Sequence, residues 1–163
     1  LEVEVLIKSI RINFLIQHFK SQISRPKDPN GIIKRTRQAK RVSEIINERL
    51  SVDPDGYYVI AGDFNERSNG PSLKPLLNRD DLFNTIERLP SKDRWTYIHG
   101  THKQQLDYMM VNSTLDKKIK KFSIERRGIS RSRTAYKGPR LSTVKRDGTE
   151  ASDHCALFMD LEI

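Results

Sequence analysis

Apolar and polar positions along the chain predict short strands around one long helix. Residues 3–8 (VEVLIK) and 11–19 (RINFLIQHF) are rich in β-branched and aromatic side chains, and predict an antiparallel hairpin turning at Ser9 and Ile10. Residues 24–30 (SRPKDPN) have the Pro, Asp and Asn content of a loop, closed by Gly31. From about residue 34 to 50 the period lengthens. Ala39, Val42, Ile45, Ile46 and Leu50 recur at three- and four-residue steps, with Lys40, Arg41, Glu44 and Glu48 opposite, so an amphipathic helix is expected. The turn Asp53-Pro54-Asp55-Gly56 ends it. Residues 57–61 (YYVIA) predict a buried strand that stops at Gly62-Asp63-Phe64-Asn65. Residues 71–77 suggest a short helix and 81–86 another helical turn. Residues 95–99 and 106–111 predict strands around a loop at 100–103, and residues 119–124 and 156–163 two more. The pattern is that of a strand-rich α/β chain with one good helix.

Composition narrows the function classes. The chain has 163 residues, 36% hydrophobic and 31% charged, with apolar runs too regular for wholesale disorder. No uncharged apolar stretch approaches the length of a membrane span. The single Cys155 excludes an internal disulfide and a Cys-rich zinc module. The chain begins at Leu1 without the pattern of a secretory leader. Thirty Lys/Arg against 21 Asp/Glu give a formal charge of +9. Twelve of those cations and only one acid, Glu125, fall between Lys117 and Arg146, so the remaining chain is slightly acidic. That segment reads as a solvated basic loop or as an arm facing a polyanion such as a phosphate backbone.

Chemistry-bearing residues gather where apolar strands end. His18 closes RINFLIQHF, Asp63 and Asn65 follow YYVIA, Asp107 lies inside QLDYMMV, and Asp153 and His154 precede the last strand. Singly, each has a structural reading: an Asx-turn for Asp63 and Asn65, a turn or cap for Asp153, satisfied structural histidines for His18 and His154. Asp107 fits such a reading least well, because a carboxylate in an apolar strand needs a partner. Together, two imidazoles, carboxylates and an amide suit metal-assisted phosphoester hydrolysis. A Gly-rich phosphate loop, GxSxG and HExxH are all missing, which removes the usual NTPase, serine-hydrolase and zinc-protease readings.

Gly62-Asp63-Phe64-Asn65, Gln105-Leu106-Asp107-Tyr108 and Ser152-Asp153-His154, in this order, resemble the endonuclease/exonuclease/phosphatase superfamily with the deoxyribonuclease-I-like fold. Gln17-His18-Phe19-Lys20-Ser21 is similar to its H-x-K-S segment, and Arg37-Gln38-Ala39 loosely to its R-x-x-Q-A neighbourhood before a helix. The resemblance spans residues 13–163 and corresponds to the C-terminal half or so of the family domain. It implies an α/β (α+β) fold, part of a four-layer α/β/β/α sandwich with mainly antiparallel sheets. On that reading residues 1–163 are a single domain truncated at its N-terminus. It further implies Mg²⁺, with Mn²⁺ or Ca²⁺ as alternatives, and a role for each residue. Asp63 would activate the attacking water and Asn65 would bind the scissile phosphate. His154 would be general base or phosphate-stabilising imidazolium, oriented by Asp107. Asp153 would be a metal ligand or a carboxylate behind one, and His18 the second imidazole.

Family members begin with an Asn-bearing strand and then a strand ending in the Glu that is the principal metal ligand. Neither segment lies upstream of His18 here, and Glu2 and Glu4 lack the Gln-Glu context. The expectation is therefore a chain of very weak Mg²⁺-dependent activity by itself. A missing N-terminal segment or a homo-oligomer would cover its open sheet edge. Nucleic acid is the leading substrate, with Arg126, Arg127, Arg131, Arg133, Lys137 and Arg140 as the residues expected to meet it, and Trp95 and Tyr97 as stacking or core aromatics. The alternatives are a lipid or small-molecule phosphodiesterase or phosphatase of the same superfamily, and a non-catalytic nucleic-acid-binding fragment.

Overall fold

A computed structural model describes residues 1–130, 132–146, 148–150 and 152–163. The first two strands, β1 (Glu2–Ile7) and β2 (Ile10–His18), form the expected antiparallel hairpin. Its tight turn is reached with Lys8 at a positive φ of 56°. The chain then crosses through α1 (Ile32–Val52) to β3 (Tyr57–Asp63), which runs parallel to β2. The helix extends two residues beyond the periodic pattern at each end. At its start Gly31 takes a left-handed conformation, and the Asp28 carboxylate accepts from the backbone N–H groups of Ile33 (2.8 Å) and Lys34 (3.2 Å). Arg37, Gln38 and Ala39, expected ahead of a helix, lie within it.

Beyond β3, residues 71–77 coil as expected, through a 3₁₀ turn (Pro71–Leu73) into the short helix α2 (Lys74–Leu77). Two later expectations are corrected. The helical turn expected at 81–86 is a strand, β4 (Leu82–Asn84), followed by a 3₁₀ turn (Thr85–Arg88). The loop expected at 100–103 is half strand: β5 (Tyr97–His99) turns at Gly100, φ +57°, into β6 (His102–Gln104). Three-residue strands carry too little periodicity to be told from helix or loop, and here pairing decided. β7 (Asp107–Asn112) lies between β3 and β4, antiparallel to both, so the main sheet has the order β1-β2-β3-β7-β4. After the short α3 (Ser113–Asp116), β8 (Ile119–Glu125) and β9 (Ala156–Leu161) form a separate antiparallel pair. Apart from β2–β3, strand pairing among the described residues is antiparallel.

Strand parity sorts the core into two. Leu15, Tyr58, Ile60, Tyr108 and Met110 face α1, whose Ala39, Val42 and Ile46 are buried against them. Ile12, Val59 and Val111 face the other way, toward Ile119, Met159 and Leu161 of the β8–β9 pair. Helix, main sheet and second sheet thus stack as three layers. The outer edge of β1 is unpaired among the described residues, and Leu1, Val3, Val5, Leu6 and Ile7 are exposed along it.

Candidate active site

The strand register brings the expected residues into one row. His18 is the pairing partner of Asp63 across β2–β3, and Asp63 that of Asp107 across β3–β7. All three stand on the parity that looks at the second sheet, just past the last apolar positions. Two carboxylates directly opposite on neighbouring strands repel each other, so the row needs positive charge nearby. His154 stands beside it on the segment that enters β9: its Nδ1 lies 2.8 Å from Asp107 Oδ2. This hydrogen bond raises the His154 pKa above its ordinary value of 6.5, against the opposing effect of burial. His18, largely exposed, puts Nε2 3.7 Å from Asp63 Oδ2 on the other side.

Asp63 is half-buried, and its pKa is raised, first by that burial and then by the charge of Asp107. It is fixed by Asn65, whose backbone N–H donates to Oδ1 at 2.8 Å and whose amide donates to Oδ2 at 3.0 Å. The same amide donates to the Phe19 carbonyl at 3.1 Å, tying the ends of β2 and β3 together. Asn65 itself has a positive φ of 51°, a conformation Asn tolerates better than most residues. Gly62 is required at its place: at φ +137° a Cβ would stand 1.9 Å from the Gln17 carbonyl oxygen. Asn65, Tyr97, Leu106 and His154 line an open cleft of about 580 Å³, with the Tyr97 ring 4.7 Å from the His154 ring.

One potential ligand atom each from Asp63, Asp107 and His154 lie within 4.8 Å of one another, a donor set able to hold a divalent ion. Since His154 Nδ1 already serves Asp107, the two carboxylates are the better donors for a hard cation. Asp153 is exposed and outside this cluster. Glu2 and Glu4 are spent on surface pairs with Arg49 (2.8 Å) and Arg11 (2.9 Å).

The basic segment does not behave as one arm. Arg140 donates to the carbonyls of Ile129, Ser130, Arg133 and Tyr136 and so holds its own loop together. Arg126 lies over the Trp95 ring at 4.3 Å and donates to the Trp95 carbonyl, while Arg127 pairs with Glu125. Arg133 is half-buried, Lys137 is exposed, and Arg131 lies outside the described residues. Trp95, 8% exposed beneath Arg126, is a core residue and not a stacking platform.

Two residues that support the site escaped the motif reading. Thr96 is fully buried; its carbonyl accepts from Cys155 N–H at 2.7 Å and its hydroxyl from the N–H groups of Leu106 and Asp107, each at 3.1 Å. Arg35, 1% exposed, bonds the carbonyls of Lys20 (3.0 Å) and Asn30 (2.7 Å) and pairs with Glu66 at 3.1 Å, joining the segment after His18 to the one after Asn65. The available signals were a polar residue inside the apolar run WTYI, and a cation in helical phase with Ala39, Val42 and Ile46.

No protein-family model and no curated protein sequence matches the chain. Solved structures do. Truncated TDP2 from Caenorhabditis elegans superposes with TM-score 0.66 at 20% identity, over 96% of this chain and 56% of that one. Beta toxin from Staphylococcus aureus gives 0.62 at 17% identity, over 99% and 56%. An endonuclease/exonuclease/phosphatase family protein from Leptotrichia buccalis gives 0.57 at 17% identity, over 99% and 52%. A further structure of beta toxin holds bound magnesium ions. The chain spans little more than half the length of the first three. It has the deoxyribonuclease-I-like fold that the ordered motifs implied.

Proposed function

We propose that the chain carries the reactive end of a divalent-metal-dependent phosphoester hydrolase acting on nucleic-acid phosphodiesters. The observation that supports this reading best is the row His18–Asp63–Asp107 on three neighbouring strands, closed by His154 from the segment that enters the second sheet, with His154 and Asn65 on the wall of the adjoining cleft. Asp107 fixes the His154 ring through Nδ1 and favours its charged form, so the imidazolium offers a proton and positive charge to a phosphoryl oxygen. Asp63, whose proton affinity is raised, is suited to take a proton from the attacking water. Asn65 holds that carboxylate in place, and its amide is the neutral donor available to a phosphoryl oxygen in the same cleft. His18 stands across Asp63, where the leaving group would depart. Asp63 and Asp107 are the residues that would hold the ion, which would supply Lewis-acid polarisation and charge neutralisation.

We propose also that residues 1–163 are the C-terminal part of a larger α/β/β/α domain. The partial coverage of the matched structures and the bare edge of β1 support this. Plasmid nicking and oligonucleotide cleavage in Mg²⁺ or Mn²⁺ against EDTA test both readings. Residues 1–163 alone should turn over weakly, and a chain extended upstream faster. Asp63→Asn or His154→Ala should lower the rate by about 10²–10⁴-fold. Cleavage that survives EDTA or both substitutions would contradict the hydrolase reading.

A further inference from the structure

A second cleft, of about 420 Å³, lies beside the reactive one. The two share Gln104, and Arg67 on the second wall follows Asn65 by two residues, so they form one continuous surface. Among the described residues four cations line the second cleft, Arg67, Lys92, Arg94 and Lys103, and no acid does. Arg94 is committed: its guanidinium donates to the carbonyls of Leu89 (2.8 Å) and Glu87 (2.9 Å). The exposed side chains of Arg67 and Lys92 have no hydrogen-bond or ion-pair partner among the described residues. Lys103 is exposed and is steadied by the Trp95 ring, 5.0 Å from its Nζ. The cleft is therefore a cationic trough with three free-ended charges, floored by a buried indole and opening onto the reactive residues. The amide nitrogen of Gln105, also on its wall, is buried without a hydrogen-bond partner among the described residues, a donor not yet satisfied.

We infer that Arg67, Lys92 and Lys103 form a binding track for the phosphates that flank the one being cleaved, and that the occupant is a single nucleic-acid strand. This inference rests on the hydrolase reading for the position of the scissile phosphate. Charge and continuity argue for it. A small phosphate ester would fill the reactive cleft alone and leave three separated cations unanswered, whereas a strand carries one negative charge per nucleotide and places charges along both clefts. The track also relocates the electrostatic contact, away from the basic segment where Arg126, Arg127 and Arg140 are already engaged.

The test is binding without turnover. The affinity of residues 1–163 for a fluorescein-labelled single-stranded oligodeoxynucleotide is measured by anisotropy in EDTA over a range of salt. Arg67→Gln, Lys92→Gln and Lys103→Gln combined should weaken binding at least tenfold and reduce the salt slope by about 2, at roughly 0.7 per phosphate contact. Lys137→Gln with Lys145→Gln, in the basic segment, should change neither. All of these side chains are exposed, and an unchanged melting temperature identifies folded variants. Wild-type affinity and slope in the triple variant would overturn the track, as would an equal loss in the control pair. Charge-dependent capture of phosphatidylserine vesicles in place of the oligonucleotide would overturn it too. Asp63→Asn separates the two readings: it should abolish cleavage and leave this binding intact. A protein that binds through the track and never cleaves would fail as a hydrolase alone.

Discussion

Thr96 spends its polar groups on Asp107 and on the backbone neighbours of Asp107 and His154, the charged pair of the site. Its carbonyl anchors Cys155, next to His154, and its hydroxyl receives the N–H of Asp107. Thr96→Val keeps the shape and removes the acceptor of two N–H groups, a loss of roughly 1–3 kcal/mol in stability. A positioning role adds a signature that lost stability alone would not give. His154 is held above 6.5 chiefly by its bond to Asp107. A histidine raised on folding contributes stability that is fully present below the unfolded value and is lost as pH rises through the folded one. In chelator, the His154 titration followed by NMR should therefore lie above 6.5 in the wild type and move back toward 6.5 in Thr96→Val. Thr96→Ser, which restores the hydroxyl, should return it. An unmoved His154 titration in folded Thr96→Val would reduce Thr96 to a packing residue.

At the scale of elements, the site depends on how the ends of β2 and β3 meet. Gly62 lets β3 pass the Gln17 carbonyl at a distance no side chain permits. Gly62→Ala should cost roughly 3–5 kcal/mol in urea unfolding, because the strand must shift and a positive φ must be borne by alanine. Gly128→Ala meets nothing within 4 Å, and should stay within about 0.5 kcal/mol of wild type. Equal midpoints for the two would show that β2 and β3 tolerate separation at their ends. The same junction shows what the sequence could disclose. Asp63, Asn65, Asp107 and His154 were legible because polar residues interrupt or flank apolar runs in an ordered set of short motifs, and α1 was legible because five apolar positions kept a helical step. The row itself was not legible. Register is a property of pairs, and a one-residue slip of β7 would turn Asp107 to the face of α1. Arg35 and Thr96 were hidden for a related reason, since their partners lie 31 and 10 residues away along the chain. The basic segment misled in the opposite direction: a run of cations is visible in sequence, but the carbonyls of Trp95 and Ile129 that engage Arg126 and Arg140 are not.

Across the whole molecule, the row of Asp63 and Asp107 is a place where burial and like charge work against stability. Asp63 and Asp107 face each other across a strand pair with one imidazole between the sheets to offset them. Asp63 has its pKa raised on folding. The sign is therefore unfavourable: ionised Asp63 destabilises the fold at neutral pH, and the cost shrinks as pH falls through its folded pKa and is gone below the unfolded one. A divalent ion between the carboxylates would remove that repulsion in the folded state alone, since the unfolded chain does not hold the two together. Linkage then sets the size of the effect. At about one hundred times the dissociation constant, a ligand of the folded state adds about 2.7 kcal/mol. For a chain of this length that amounts to roughly 5–10 °C in melting temperature, at 2–4 °C per kcal/mol. Saturating Mg²⁺ or Mn²⁺ should thus raise the melting temperature of the wild type, and EDTA should reverse the rise. Asp63→Asn should lose most of the increment, because only one carboxylate remains to hold the ion. Asp55→Asn, an exposed carboxylate in the turn before β3, should keep it. A melting temperature indifferent to both ions would mean that residues 1–163 cannot hold the metal by themselves. An increment equal in Asp63→Asn and wild type would place the ion elsewhere on the molecule.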